Sequence, residues 1–177
     1  PTRSGASSPN LITVHAPLPD DLGDGTRERP RLCVEAWLAV PVAERHELLM
    51  LRRTPTHGGF WQGVSGRLEA SDASYASAAE REIEEETGLR TAGATLRELS
   101  GATAFQGVVS KRWFHKRVLG VVLPRTVEPG ELVLSEEHDL VRRVAFEEAR
   151  GLVAFPENAT ALLEFERWLQ DARGFSR

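Results

Sequence analysis

The chain has 177 residues and one cysteine, Cys33, which excludes an internal disulfide and suits a reducing cytoplasm. No apolar stretch reaches about 18 residues, the length a spanning helix needs, and the N-terminus shows no signal-peptide core. A cytoplasmic protein without a membrane segment is therefore expected. Charge of either sign is not in large excess: 22 Lys and Arg oppose 26 Asp and Glu, a net charge of −4. That argues against a broad nucleic-acid or membrane surface. No internal repeat is visible. What is present is ordinary globular composition, 41% hydrophobic and 27% charged, in a chain long enough for one domain with a full core.

Residues 1–30 are rich in Pro, Gly, Ser and Asp and read as an arm and loop, with an apolar island at Leu11–Leu18 that could add an edge strand. A domain over residues 31–173 follows. Leu32, Val34, Ala36, Leu38 and Val40 alternate with Cys33, Glu35, Trp37 and Ala39, which is strand periodicity. Glu47–Arg53 reads as a second strand, and a loop containing Gly58 and Gly59 leads into "FWQGVSG". Strand-like runs recur at "LRELSGATAFQ", "RWFHKRVLGVVLP" and "LVRRVAF". A C-terminal helix is expected after Pro156, with Asn158 as its N-cap and Leu162, Leu163, Phe165, Trp168 and Leu169 on its apolar face. Strands, a helix, more strands and a closing helix make an α/β domain with a mixed sheet.

The stretch "GRLEASDASYASAAEREIEEETGLR" (Gly66–Arg90) holds seven acidic residues, five of them between Glu80 and Glu86. Like charges at helical spacing repel by a few tenths of a kcal/mol, roughly, per pair. A helix is expected from an N-cap at Ser74 to Thr87, with Gly88 as its stop. At about 100° per residue, Ala76, Ala79, Ile83 and Thr87 share one face. Glu82, Glu85 and Glu86 converge beside that face, while Glu80 and Glu84 do not. Three convergent carboxylates suit a hard divalent cation, Mg²⁺ or Mn²⁺, with coordination left over for phosphate oxygens. The alternative is a solvated acidic helix with Arg81 and Arg90 as its ion-pair partners.

The spacing as a whole resembles the signature of the Nudix hydrolases, Gx5Ex7REUxEExGU with U a bulky aliphatic. "REIEEETGL" (Arg81–Leu89) fits its second half at every defined position, Gly66 fits its start, and Glu69 stands where family members often carry another acid. The segment before the helix is one residue longer than the pattern: counted from Gly66, the first signature acid falls on Asp72, and counted back from Arg81 it falls on Ala73. The resemblance implies an α/β/α sandwich around a central mixed sheet and metal-dependent hydrolysis of a P–O–P bond in a nucleotide derivative. It implies Glu82, Glu85, Glu86 and the Gly66 carbonyl as metal ligands. Glu82 or another nearby Glu would be the general base, and Arg81 would orient the carboxylates.

Many family members place a further Glu on a distant loop, and "LSEEHDL" offers Glu136 and Glu137, of which Glu137 is the better match. "FWQGVSGRLE" and "FPENATALLEF" resemble the branch of dihydroneopterin triphosphate pyrophosphatases and dATP-type hydrolases. "SKRWFHKR" is the nearest counterpart to that branch's basic-aromatic loop; Lys111, Arg112, Trp113 and His115 could hold phosphates or stack on a base, or form a strand with an amphipathic outer face. Arg52, Arg53 and Trp61 are further substrate-contact candidates beside the glycine loop. A small nucleotide is the expected ligand, dinucleoside polyphosphates and nucleotide sugars are rival substrates, a nucleotide-sensing module is the non-catalytic alternative, and a homodimer is compatible with the sequence.

Overall fold

The computed structural model describes residues 30–106 and 112–174. The arm with its Leu11–Leu18 island and the candidate Lys111 lie outside the described residues. Seven strands form one mixed sheet: β1 (Arg31–Val42), β2 (Arg45–Arg53), β3 (Trp61–Gln62), β4 (Val64–Arg67), β5 (Thr95–Gln106), β6 (Trp113–Val122) and β7 (His138–Val144). The central order is β3-β2-β1-β6-β5, with β7 on β2 and β4 on β1. β1 and β6 pair in parallel, and the other pairings between these strands are antiparallel.

The alternation in β1 does not separate core from solvent, because residues 33–40 are all buried. It separates two cores. Val34, Ala36, Leu38 and Val40 face a cluster containing Ala76, Ala79 and Ile83 of α1 (Tyr75–Thr87). Trp37 and Ala39 face a second cluster with Phe146 of α2 (Phe146–Leu152) and Leu162 and Phe165 of α3 (Pro156–Gly174). Each large side chain so buried contributes about 1.5–3 kcal/mol relative to exposure. The result is the α/β/α sandwich with a central mixed sheet.

One edge of β1 is shared. Its C-terminal half (Leu38–Val42) pairs with β2, and its N-terminal half (Cys33–Ala36) pairs with β4. This division opens the sheet where Gly66 lies, and there α1 packs across β4.

Two elements carried no expectation, and one expectation needs correction. "FWQGVSG", to which no element was assigned, carries β3 and the start of β4. "FEEARGL" forms α2, whose Phe146 and Ala149, three residues apart, are the buried positions. So short a helix, abutting a strand-like run, offers little periodicity to read. Asn158 is not the N-cap of α3: the helix starts at Pro156, and the Asn158 amide is buried and donates to Glu35 Oε1 at 3.0 Å.

Candidate active site

Helix α1 is delimited by its own residues. Ser74 in extended conformation accepts from Ser77 N–H while Ser77 accepts from Ser74 N–H, a reciprocal cap that satisfies two otherwise orphaned donors. Gly88 closes the helix at φ +70°, a left-handed conformation that glycine adopts without cost. Between them Ala76, Ala79, Ile83 and Thr87 are buried, and so are Tyr75, Ala78 and Glu86. Glu80 and Glu84 are exposed on the other side, with Glu84 paired to Arg90.

The three candidate carboxylates differ in surroundings. Glu82 lies over Gly66: a methyl group there would sit 1.8–2.2 Å from the Glu82 carboxyl, so only glycine leaves room. Burial raises the Glu82 pKa against the opposing pull of Arg81. Glu86 is buried, its Oε2 has no hydrogen-bond partner among the described residues, and burial reinforced by the Glu82 and Glu137 charges pushes its pKa up to about 8. Glu85 is 57% exposed and turns outward to Arg81.

Arg81 acts as a clamp. Its Nη1 donates to Glu82 Oε1 at 2.9 Å and Glu85 Oε2 at 3.0 Å, and its Nη2 donates to Asp72 Oδ2 at 3.0 Å and the Arg67 carbonyl at 2.8 Å. Asp72 is itself buried, accepts from Glu69 N–H at 2.8 Å, and is held below the usual carboxylate range chiefly by Arg81. Asp72 therefore anchors the arginine from the longer segment before the helix.

The loop before β7 meets this cluster from the other side. Glu137 Oε2 pairs with Arg53 Nη1 at 2.9 Å, and its carbonyl accepts from Thr54 N–H at 2.9 Å. Both Glu136 and Glu137 are exposed, and Glu137 is among the charges acting on Glu86. His138 is buried with Nδ1 3.8 Å from Glu86 Oε2, and Gln62 Nε2 lies 3.5 Å from its Nε2. Burial, with the Arg53 charge, depresses His138 to about 4, so the ring is neutral near pH 7.

These residues suit a hard cation. They supply carboxylate oxygens, on half-buried Glu82 and buried Glu86, whose ionised forms want a counter-charge, and one buried oxygen, Glu86 Oε2, has no hydrogen-bond partner among the described residues. They are not drawn together as a finished cage: among the described residues, no three acidic, imidazole or thiol groups already converge on a metal position. Arg81 holds Glu82 and Glu85, and Arg53 holds Glu137.

A cleft of about 660 Å³ is lined by Arg53, Gln62 and Gly66 together with Phe105, Phe114 and Phe155. The other candidates fall differently. Arg52 does not line the cleft; it is paired with Asp139 through Nε at 2.8 Å and Nη2 at 2.9 Å, and Arg53 lines it instead. Trp61 also faces away, packing against the second core with the Arg142 guanidinium 5.7 Å from its ring centre, while Phe60 and Gln62 line the cleft. Both differences follow from one rule: neighbours in a strand point to opposite faces. Arg112 is exposed just before β6, and among the described basic residues of that segment Lys116 reaches the cleft. Gln62, Lys116 and His138 carried no functional expectation of their own. The strand alternation Phe114, Lys116, Val118 was the available signal for Lys116.

Among the described residues no helix is long and apolar enough to cross a membrane. The NUDIX domain model matches residues 34–169, well over half of the chain. An Ap4A hydrolase of C. elegans in a binary complex is similar in structure, with TM-score 0.67, 16% identity, and coverage of 80% of this chain and 98% of that one. The dihydroneopterin triphosphate pyrophosphohydrolase of E. coli follows with TM-score 0.62, 20% identity, and coverage of 77% and 94%. A local stretch of 43 residues, 24% of this chain, is 63% identical to an octanoyltransferase of Myxococcus xanthus, and it spans only 12% of that protein. With the α1 carboxylates, the α/β/α sandwich and the match across residues 34–169 in agreement, the chain belongs to the NUDIX domain family.

Proposed function

We propose that the protein hydrolyses a P–O–P linkage in a nucleoside triphosphate or related nucleotide derivative with the help of Mg²⁺ or Mn²⁺. The observation that carries this reading is the Glu82–Glu86 pair. Half-buried Glu82 lies over Gly66, a residue that also lines the cleft, and Glu86 one turn on is buried; both carboxyls have raised pKa values. Buried like charges are costly unless a counter-charge repays them.

Glu82, Glu85 and Glu86 with the Gly66 carbonyl would hold the cation from the helix side, and Glu137 from the loop side. When bound, a divalent ion neutralises phosphate oxygens and lowers the pKa of its water. The remaining work belongs to side chains. Arg81, anchored on Asp72, fixes the Glu82 and Glu85 carboxylates. Arg53 offers its guanidinium to a phosphate at the head of the cleft. Glu82 or Glu137 takes the proton from the attacking water.

The test is a panel of nucleoside triphosphates, dinucleoside polyphosphates, nucleotide sugars and dihydroneopterin triphosphate assayed with Mg²⁺ and Mn²⁺, with products identified. Cleavage at a phosphoanhydride that chelator abolishes is expected. Tight binding of a nucleotide without turnover of any member would replace the hydrolytic reading with a sensing role.

A further inference from the structure

Part of the cleft is built from residues that no catalytic role uses. Phe105 and Phe114 face each other across β5 and β6, with ring centres 5.2 Å apart and planes 11° from parallel. Phe155 stands edge-on to Phe60, with ring centres 5.5 Å apart. Phe105 and Phe155 are 43% and 44% exposed, unusual for large apolar rings unless something flat covers them.

Among these rings lies a polar triad. Lys116 Nζ donates to Glu35 Oε2 and, at 3.2 Å, to Asn158 Oδ1, while Asn158 Nδ2 donates to Glu35 Oε1 at 3.0 Å. Glu35 and Asn158 are each 2% exposed. Every pair in the triad is bonded, so the ammonium is fixed in position. An ammonium has three donors; two of the Lys116 hydrogens go to Glu35 and Asn158, which leaves a third for the cleft that the side chain lines. Its charge is matched by Glu35, so it offers a directed hydrogen bond rather than a general attraction for phosphate. Placement agrees. Cys33 of β1 lies opposite Lys116 on one side and Arg67, next to Gly66, on the other. Two strand spacings, about 10 Å, therefore separate Lys116 from the phosphate end, a span that the sugar of a nucleotide bridges.

We propose that Lys116 is a specificity-determining residue that donates to a ring carbonyl of the bound base, with Glu35 and Asn158 as its positioning residues. The inference rests on the nucleotide-hydrolase reading above and deepens it. The cleft then selects flat heterocycles with an oxo group at the inner edge, whether a 6-oxopurine, uracil or a reduced pterin. It rejects adenine and cytosine, which present an amino donor to a donor.

The experiment compares kcat/KM for inosine against adenosine triphosphate and for uridine against cytidine triphosphate, pairs that exchange an oxo for an amino group with little change of shape. Dihydroneopterin triphosphate is run alongside. A preference for the oxo member of about ten- to a hundredfold is expected, the factor one hydrogen bond to a charged group carries. Turnover of the pterin above every nucleotide would assign the carbonyl to a pterin. Lys116→Met alone strands Glu35 as a buried unpaired charge, so the variant is Glu35→Gln with Lys116→Met, which leaves the amide of Asn158 a neutral partner. In that double variant the ratio should fall to near unity. Because both substrates meet the same preparation, partial loss of folded enzyme cancels. A wild-type ratio near unity, a preference for the amino member, or a ratio unchanged in the double variant overturns the proposal. If no phosphoanhydride is cleaved, the hydrolytic reading fails by itself. Equilibrium binding of the same pairs by calorimetry then decides the role of Lys116: oxo preference supports it, and equal or absent binding overturns it.

Discussion

Replacing Glu86 by Gln separates stability from function. The carboxyl is pushed from an ordinary value of 4.5 up to about 8, first by burial and then by the Glu82 and Glu137 charges. A raised carboxylate pKa means that the folded state holds the proton more tightly than the unfolded chain does. The associated stability is present below pH 4.5 and is lost as pH rises towards 8. At pH 7.5 the accumulated penalty is about 2–4 kcal/mol, taking about 1.4 kcal/mol per pH unit. Glu86→Gln removes the ionisation while keeping the shape, so the metal-free protein should gain most of that amount. At about 2–4 °C per kcal/mol for a chain of this size, Tm rises by several degrees.

The assay is thermal unfolding in excess chelator at pH 7.5 and again near pH 4.5. The gain should be large at the higher pH and vanish at the lower. Added Mg²⁺ should then stabilise the wild type by mass action and the variant much less, and turnover should fall in the variant. A Glu86→Gln protein no more stable than wild type at pH 7.5 in chelator would refute the reasoning. An unaltered response to Mg²⁺ would remove Glu86 from the metal site.

Gly66→Ala should lower turnover by about 10²-fold or more with the fold retained by circular dichroism, since the added methyl displaces the Glu82 carboxyl and small misplacements are that costly; near-normal rates would show that the Glu82 position is unimportant. Glu137→Gln should lower kcat by about 10²-fold, in the range for loss of a general base, and Glu136→Gln should do little; the reverse order would place the loop one residue out of register. Asp72→Asn should destabilise by about 1–3 kcal/mol in denaturant titrations, through loss of a charged bond to Arg81. Because Asp72 is held below its ordinary range, the wild-type advantage should shrink as pH falls through that range, and a pH-independent difference would count against an ionic role. Arg53→Lys should raise KM for the substrate, whereas Arg52→Lys should leave it unchanged; equal effects would mean that β2 presents both arginines to the cleft.

What the sequence determined by itself was local and periodic. The extent of α1 is written in Ser74 and Gly88, because a cap and a left-handed stop are made by residues within a few positions of one another. The 3.6-residue repeat likewise sorted Glu82, Glu85 and Glu86 from Glu80 and Glu84, and the same spacing carried the family resemblance. The alternation of β1 was legible too, but not that both of its faces are interior, since that depends on α1 and α3 covering the sheet from opposite sides. Tertiary structure alone decided the rest. Arg53 rather than Arg52, and Phe60 and Gln62 rather than Trp61, reach the cleft, because which face of a strand meets the cavity is set by its neighbours and not by its own composition. Glu86 looks like its neighbours in the sequence, yet it is the buried one, since β4 and the His138 loop close over it. The Glu35–Lys116–Asn158 triad joins residues 81 and 123 positions apart. No local pattern encodes such a contact, because only the packing of α3 on the sheet brings the three polar groups out of water together, where each must satisfy the others.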